Sequence, residues 1–262
     1  MQFSILGTSS SGNSALVVTE NCKVLIDAGF SCKRLCGMLE ERGVEPGEID
    51  AIFITHEHSD HTTGLSTFCK NFNPQVYANP LTAKVLQTKL KHRPTWKLFN
   101  TGSTFEFRDI TVESFALPHD AHDPVGFTFT SGRDDLFSPI RSVAWLTDLG
   151  FAPRHVAERI RKVDLLVVEA NHDLELLQND TKRPWSVKQR ISGRHGHLSN
   201  QAAKDLIASI PKPQWSQVFL AHLSRDCNSS EAVTSAFSDL KDTSPYRIDA
   251  IMAGDGSSLD EV

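Results

Sequence analysis

Three imidazoles and two carboxylates crowd the stretch His56-Glu57-His58-Ser59-Asp60-His61, directly after the apolar run Ala51-Ile52-Phe53-Ile54. His56 and His58 stand two apart, so in extended chain they point the same way and can grip one metal ion. Asp60 and His61 follow where the chain turns into an expected helix, which re-aims them toward a second ion nearby. Neutral imidazole nitrogens with a hard carboxylate oxygen suit zinc, manganese or iron. Glu57 and Ser59 alternate to the other side and are not expected to ligate. The remaining ligands should also lie just past strand ends. Three apolar runs end in such a residue: VESFALPH in His119, SVAWLTD in Asp148 and QVFLAH in His222.

The elements that must position these groups are legible as short apolar runs. Strands are expected at residues 3–7, 15–19, 23–29, 51–55, 75–78, 103–107, 111–117, 126–131, 142–147, 164–170, 217–222 and 248–253. Helical spacing occupies residues 32–43, 81–91, 152–163, 187–192 and 199–210. Early strand groups give way to alternating strands and helices, which predicts an α/β sandwich rather than a plain doubly wound sheet. With no repeat or Pro/Gly linker to divide it, the chain of 262 residues reads as a single domain, residues 1–262. GTSSSGNS (residues 7–14) nearly spells a phosphate-binding loop, with Gly7 and Gly12 correctly separated. Asn13 stands where that loop requires lysine, so a Gly/Ser turn between two strands is the expected use.

Composition narrows the partners. A net charge of −5 excludes nucleic-acid binding by overall positive charge. KRPWSVKQRISGR (residues 182–194) is nonetheless basic, with no acidic residue, and as a helix its first reading is a solvated face. No apolar run could span a bilayer, and the N-terminal stretch has neither a basic region nor a long apolar core of a secretory signal. Five cysteines without a paired framework suit a reducing cytoplasm, and Cys32 and Cys36 read as free thiols on one helix rather than as metal ligands.

The THEHSDH run (residues 55–61) resembles the HxHxDH signature of the metallo-β-lactamase superfamily, and His119, Asp148 and His222 fall in that family's chain order. GTSSSGNS, LPHDAHDPVGF, TDLG, EANHD, GRHGHLSNQAA and LAHLSRDCN extend the likeness to the YycJ/WalJ-like subgroup over residues 7–228. The resemblance implies a four-layer αβ/βα sandwich, a two-metal site of zinc or manganese, and exonuclease action on nucleic acid, with DNA favoured over RNA. It assigns His56, His58 and His119 to one ion, Asp60, His61 and His222 to the other, and Asp148 as the bridge. His122 competes for the place of His119, which ends its strand directly and lies seven residues before Gly126, as in the family.

Two ions about 3.5–4 Å apart can hold and deprotonate a bridging water while neutralising a phosphate. The resulting hydroxide would attack phosphorus, and the leaving oxygen would then need a proton. His172 and His197 are candidate donors and, with Asp60, complete the candidate catalytic set. Asp27 and Glu169 are expected to orient ligands. Ser199 or Asn200 would cap the helix that follows, whose N-terminal amides could receive a terminal phosphate. Trp185, Lys188, Arg190 and Arg194 of the basic run could meet the neighbouring backbone and bases. Two other readings compete: hydrolysis of RNA, a thioester or a lactam on the same fold, and metal binding without turnover.

Overall fold

The computed structural model describes residues 1–133 and 139–262. Two seven-stranded sheets form among them. The first runs in spatial order β14 (Asp260–Glu261), β1 (Gln2–Ser9), β2 (Gly12–Val18), β3 (Lys23–Ile26), β4 (Ala51–Phe53), β5 (Gln75–Ala78) and β6 (Thr95–Leu98). The second runs β13 (Arg247–Ala250), β12 (Gln217–Ala221), β11 (Leu165–Glu169), β10 (Arg141–Leu146), β9 (Val125–Ser131), β8 (Ile110–Ala116) and β7 (Thr104–Phe107).

Alternation along the strands builds the layers. Ala15, Val17, Val24 and Ile26 meet Phe127, Phe129, Trp145 and Val167 between the two sheets. Leu16, Leu25 and Ile52, one residue out of phase, pack instead on α1 (Cys32–Glu40), α3 (Leu65–Phe72) and α4 (Pro80–Lys89). On the far side Leu166, Val168 and Leu220 pack against α5 (Arg154–Ile160), α8 (Asn200–Ser209) and α9 (Ser230–Thr243). Strands buried on both faces need continuous apolar sequence, which is why they read so plainly. The result is the expected four-layer αβ/βα sandwich.

Strands β3 to β6 run parallel, as do β10 to β13, so their carboxyl ends share one edge. In open α/β sheets that edge is where ligands bind. The remaining helices, α2 (Ser59–Thr62), α6 (Leu174–Asn179) and α7 (Trp185–Ile191), all lie in connections leaving that edge. β3 stops at Ile26 rather than running to residue 29, because Asp27 takes a left-handed conformation, φ 59°. β6, β14, α6 and α9 were not expected from sequence. β6 is a mostly exposed edge strand, and β14 is two acidic residues paired to the start of β1.

Candidate metal centre

The residues that follow these strands converge. His56, His58 and His119 offer ligand atoms within 4.8 Å of one another, and so do Asp60, His61, Asp148 and His222. Asp27, Asp148 and His222 each leave their strand in the left-handed region, with φ of 59°, 64° and 55°. That conformation is uncommon for residues other than glycine, and it turns the side chains out of strand alternation toward the shared edge. Hydrogen bonds hold the turns: Asp27 N–H donates to Phe53 O at 2.9 Å, and His222 N–H to Thr8 Oγ1 at 2.9 Å. Gly29 lets the Asp60 backbone come close, since a Cβ there would stand 1.7 Å from Asp60 O.

Four buried imidazoles here, His56, His61, His119 and His222, are each fixed by one nitrogen. His61 Nδ1 donates to Asp27 Oδ2 at 2.7 Å, His119 Nδ1 to Gly196 O at 3.1 Å, and His222 Nδ1 to Glu169 Oε1 at 3.3 Å. Thr55 Oγ1 donates to Asp27 and accepts from His56 Nδ1 at 3.0 Å. This leaves the four Nε2 atoms as lone pairs facing inward, an arrangement typical of metal-ligating histidines with fixed tautomers. His56 Nε2, His222 Nε2 and Asp148 Oδ2 are buried without a hydrogen-bond partner. His61 Nε2 faces Asp148 Oδ2 at 3.0 Å, lone pair against lone pair once Nδ1 carries the proton. A proton or a metal ion between such atoms relieves them, and the donor set fits a divalent metal.

Electrostatics agree. Burial keeps His56 well below its ordinary pKa and His119 below it, so both are neutral ligands. Burial also disfavours charge on His61 and His222, but the carboxylates around them outweigh it. Asp27, Asp148 and Asp60 lift His61 well above its ordinary value, and Asp148, Asp60 and Glu169 raise His222 to about 10. Asp148, which burial alone would raise, is instead held well below the usual carboxylate range by His222, His61 and His119. Protons on these imidazoles neutralise the carboxylates, and a divalent cation would meet the same demand.

A cleft of about 330 Å³ opens onto these groups, and His197, Asn171, Asp120, Arg183 and Arg190 line it as well. His197 Nδ1 is bound to Glu169 Oε1 at 2.7 Å. Burial lowers its pKa, but Glu169 and Asp148 more than compensate, so it lies above the ordinary value.

Several expected site residues are placed elsewhere. His172 does not line the cleft; burial pushes its pKa down to about 4, so near neutrality it has no proton to give. Ser199 caps α8 through Ala202 N–H, as expected, and Asn200 is buried in a reciprocal amide pair with Asn228. Lys188 donates to Gln178 O, the Arg194 guanidinium lies 4.5 Å over the Phe151 ring, and Trp185 is 66% exposed outside the cleft lining. Of the basic residues named from sequence, Arg190 alone lines the cleft. His122 is turned away, its side chain 60% exposed and its Nδ1 bound to Glu57 Oε1 at 2.6 Å.

The hairpin at residues 7–14 has a role that sequence reading missed. Asn13 Oδ1 accepts from Thr8 Oγ1 at 2.9 Å, and Asn13 Nδ2 lies 3.3 Å from Asp60 Oδ2 and 3.2 Å from His61 Nε2. The residue that spoils the phosphate-loop pattern is therefore the one that braces the metal-type side chains. An asparagine buried beside a strand end was the available signal.

Comparison with known proteins agrees with this geometry. A β-lactamase superfamily domain matches residues 23–222. Exodeoxyribonuclease YycJ of Bacillus anthracis is 34% identical over 233 residues, 88% of this chain and 85% of that protein. Exodeoxyribonuclease WalJ of Streptococcus pneumoniae is 35% identical over 239 residues, 88% of this chain and 84% of that protein. Among solved structures, Zn²⁺-bound PqqB from Methylobacterium extorquens superposes with a TM-score of 0.72 at 16% identity, covering 99% of this chain and 100% of that one. The metallo-β-lactamase fold protein YhfI from Bacillus subtilis gives 0.70 at 14%, covering 98% and 99%. The chain belongs to the metallo-β-lactamase superfamily, in the group of the YycJ and WalJ exodeoxyribonucleases.

Proposed function

We propose that this protein is a metal-dependent phosphodiesterase that shortens DNA from an end, its whole chain acting as one domain. The observation that carries the reading is the inward convergence of four histidine Nε2 atoms whose Nδ1 atoms are already committed. In this reading His56, His58 and His119 hold one ion and Asp60, His61 and His222 the other. Asp148 would serve both, since its Oδ2 lies 3.0 Å from His61 Nε2 and its Oδ1 3.6 Å from His119 Nε2. When bound, two zinc or manganese ions would neutralise phosphate charge and acidify water.

The chain's own groups handle the rest. Glu169 holds the Nδ1 proton of His197, which orients the ring at the cleft and favours its protonated form. His197 is thus placed to protonate the departing sugar oxygen, with Glu169 as its positioning residue. DNA as substrate follows from the YycJ and WalJ likeness over most of the chain. Among the described residues no helix is long and apolar enough to cross a membrane. The five free cysteines suit a reducing compartment, and the reading places the enzyme in the cytoplasm.

The test is incubation of purified protein with end-labelled single- and double-stranded DNA and RNA over a range of Zn²⁺ and Mn²⁺. DNA shortened stepwise from one end, and lost in Asp148→Ala with the fold intact, is the expected result. Absence of cleavage, or equal cleavage by the variant, would overturn the proposal; internal cuts would replace exonuclease with endonuclease.

A further inference from the structure

Two arginines line the cleft among the described residues, and they are held very differently. Arg183 is gripped by Asp180 at 2.7 Å and Asp226 at 2.9 Å, with its side chain 26% exposed. Arg190 has one acidic partner, Asp120, which its Nε meets across the cleft, and its side chain is 68% exposed. Asp120 follows His119 directly, and its other oxygen lies 3.3 Å from His119 Nε2.

The pair is not needed to keep α7 in place. That helix buries none of its residues, but Lys188 ties it to Gln178 O, and its last carbonyl, Ile191 O, accepts from His197 N–H at 2.8 Å. The Asp180–Arg183–Asp226 network anchors the chain just before it. A guanidinium fork binds carboxylate and phosphate with the same geometry, so Asp120 occupies the position a phosphodiester would take. An anionic strand entering beside His119 would otherwise meet the unmasked negative charge of Asp120.

We propose that Asp120 holds Arg190 in the substrate-free protein and yields it to a backbone phosphate of the entering DNA strand, next to the one being cleaved. This rests on the nucleic-acid reading above. The exchange favours a polymer, because a ligand with a single phosphate at the metal centre has no second one to draw Arg190 away.

The experiment uses metal-loaded protein and a phosphorothioate-protected single-stranded oligonucleotide, with binding followed by fluorescence anisotropy over a salt series. Asp120→Asn is expected to bind about two- to fivefold more tightly than the natural protein, as an exposed ion pair no longer competes. Arg190→Ala is expected to bind more weakly, with the log–log salt slope flatter by about 0.7, the share of one single-strand phosphate contact. Asp120→Ser gives the same reading should the amide disturb His119. If both Asp120 variants bind no more tightly, the pair is structural and the proposal is overturned. An unchanged slope in Arg190→Ala overturns it equally, since Arg190 then meets no phosphate. If the natural protein and every variant fail to bind DNA, the nucleic-acid reading itself falls.

Discussion

Replacing Asp27 with asparagine keeps the shape of a fully buried side chain and exchanges one accepting carboxylate oxygen for an NH₂ donor. Asp27 accepts from Thr55 N–H at 2.8 Å, Thr55 Oγ1 at 2.9 Å and His61 Nδ1 at 2.7 Å. In Asp27→Asn the carbonyl can keep the backbone bond, which places the NH₂ against His61 Nδ1. That nitrogen must then accept, and the ring proton moves to Nε2, the atom facing Asp148. His61 would donate to Asp148 instead of offering a lone pair to a cation. Loss of such an orienting partner reduces metal affinity by about 10- to 100-fold, roughly 1.4–2.7 kcal/mol. The fold should lose less, because burial already pushes the Asp27 carboxyl above its usual range and the amide escapes that penalty. Asp27→Ala is the contrast: it also strands the Thr55 N–H, at a further cost of about 1–3 kcal/mol. Competition with a chromophoric chelator measures the affinity, and thermal melts in chelator measure the fold. A normally folded Asp27→Asn that holds metal within twofold of the natural protein would refute the tautomer argument.

His119→Ala should reduce hydrolysis by orders of magnitude and His122→Ala only mildly, since the first ring faces Asp148 while the second is bound outside by Glu57; steady-state rates that rank the other way would exchange their roles. Lys188→Ala and Arg194→Ala should each leave DNA affinity within about twofold and the salt slope unchanged, because neither side chain lines the cleft; a slope flattened by about 0.7 in either would place a phosphate there. Burial pushes the thiols of Cys22 and Cys69 up to about 12, so at pH 8 roughly one in ten thousand of each is thiolate. Both should resist a disulfide reagent until the protein unfolds or the pH climbs toward 12; rapid labelling of the folded protein would contradict their burial.

The chemistry was more legible in the sequence than the scaffold's margins. His56, His58, Asp60 and His61 stand out as candidate donors because the spacing is local, and His119, Asp148 and His222 because each follows an apolar strand, β8, β10 or β12. α9 was missed because Ser and Thr dilute a helical pattern carried by Val233, Phe237 and Leu240. The Ser199 cap was legible, but the place of Asn200 was not, because what occupies Asn200 is Asn228, distant in sequence and adjacent only once α8 and α9 have packed. That Lys188 and Arg194 lie outside the cleft lining could not be read for a related reason: a basic run on a solvated helix does not reveal which side faces a cleft. Asp120 was passed over as a neighbour of His119, although its position on the wall sets what Arg190 can reach.

The donor groups divide between the sheets. His56, His58, Asp60 and His61 follow β4 of the first, whereas His119, Asp148 and His222 follow β8, β10 and β12 of the second. Neither set of ligands exists within one sheet. A chain synthesised from its N-terminus presents the first four long before the last; under the proposed assignment the first ion would lack its full complement until Asp148 has emerged, the second until His222 has, and both until the sheets have docked. Metal uptake at the proposed site would thereby be a late event in the life of each molecule, and would work as a clasp. An ion that recognises only the docked halves stabilises them by about 2.7 kcal/mol at a free concentration one hundred times its dissociation constant, so a cell starved of the metal would hold a looser protein as well as an idle one.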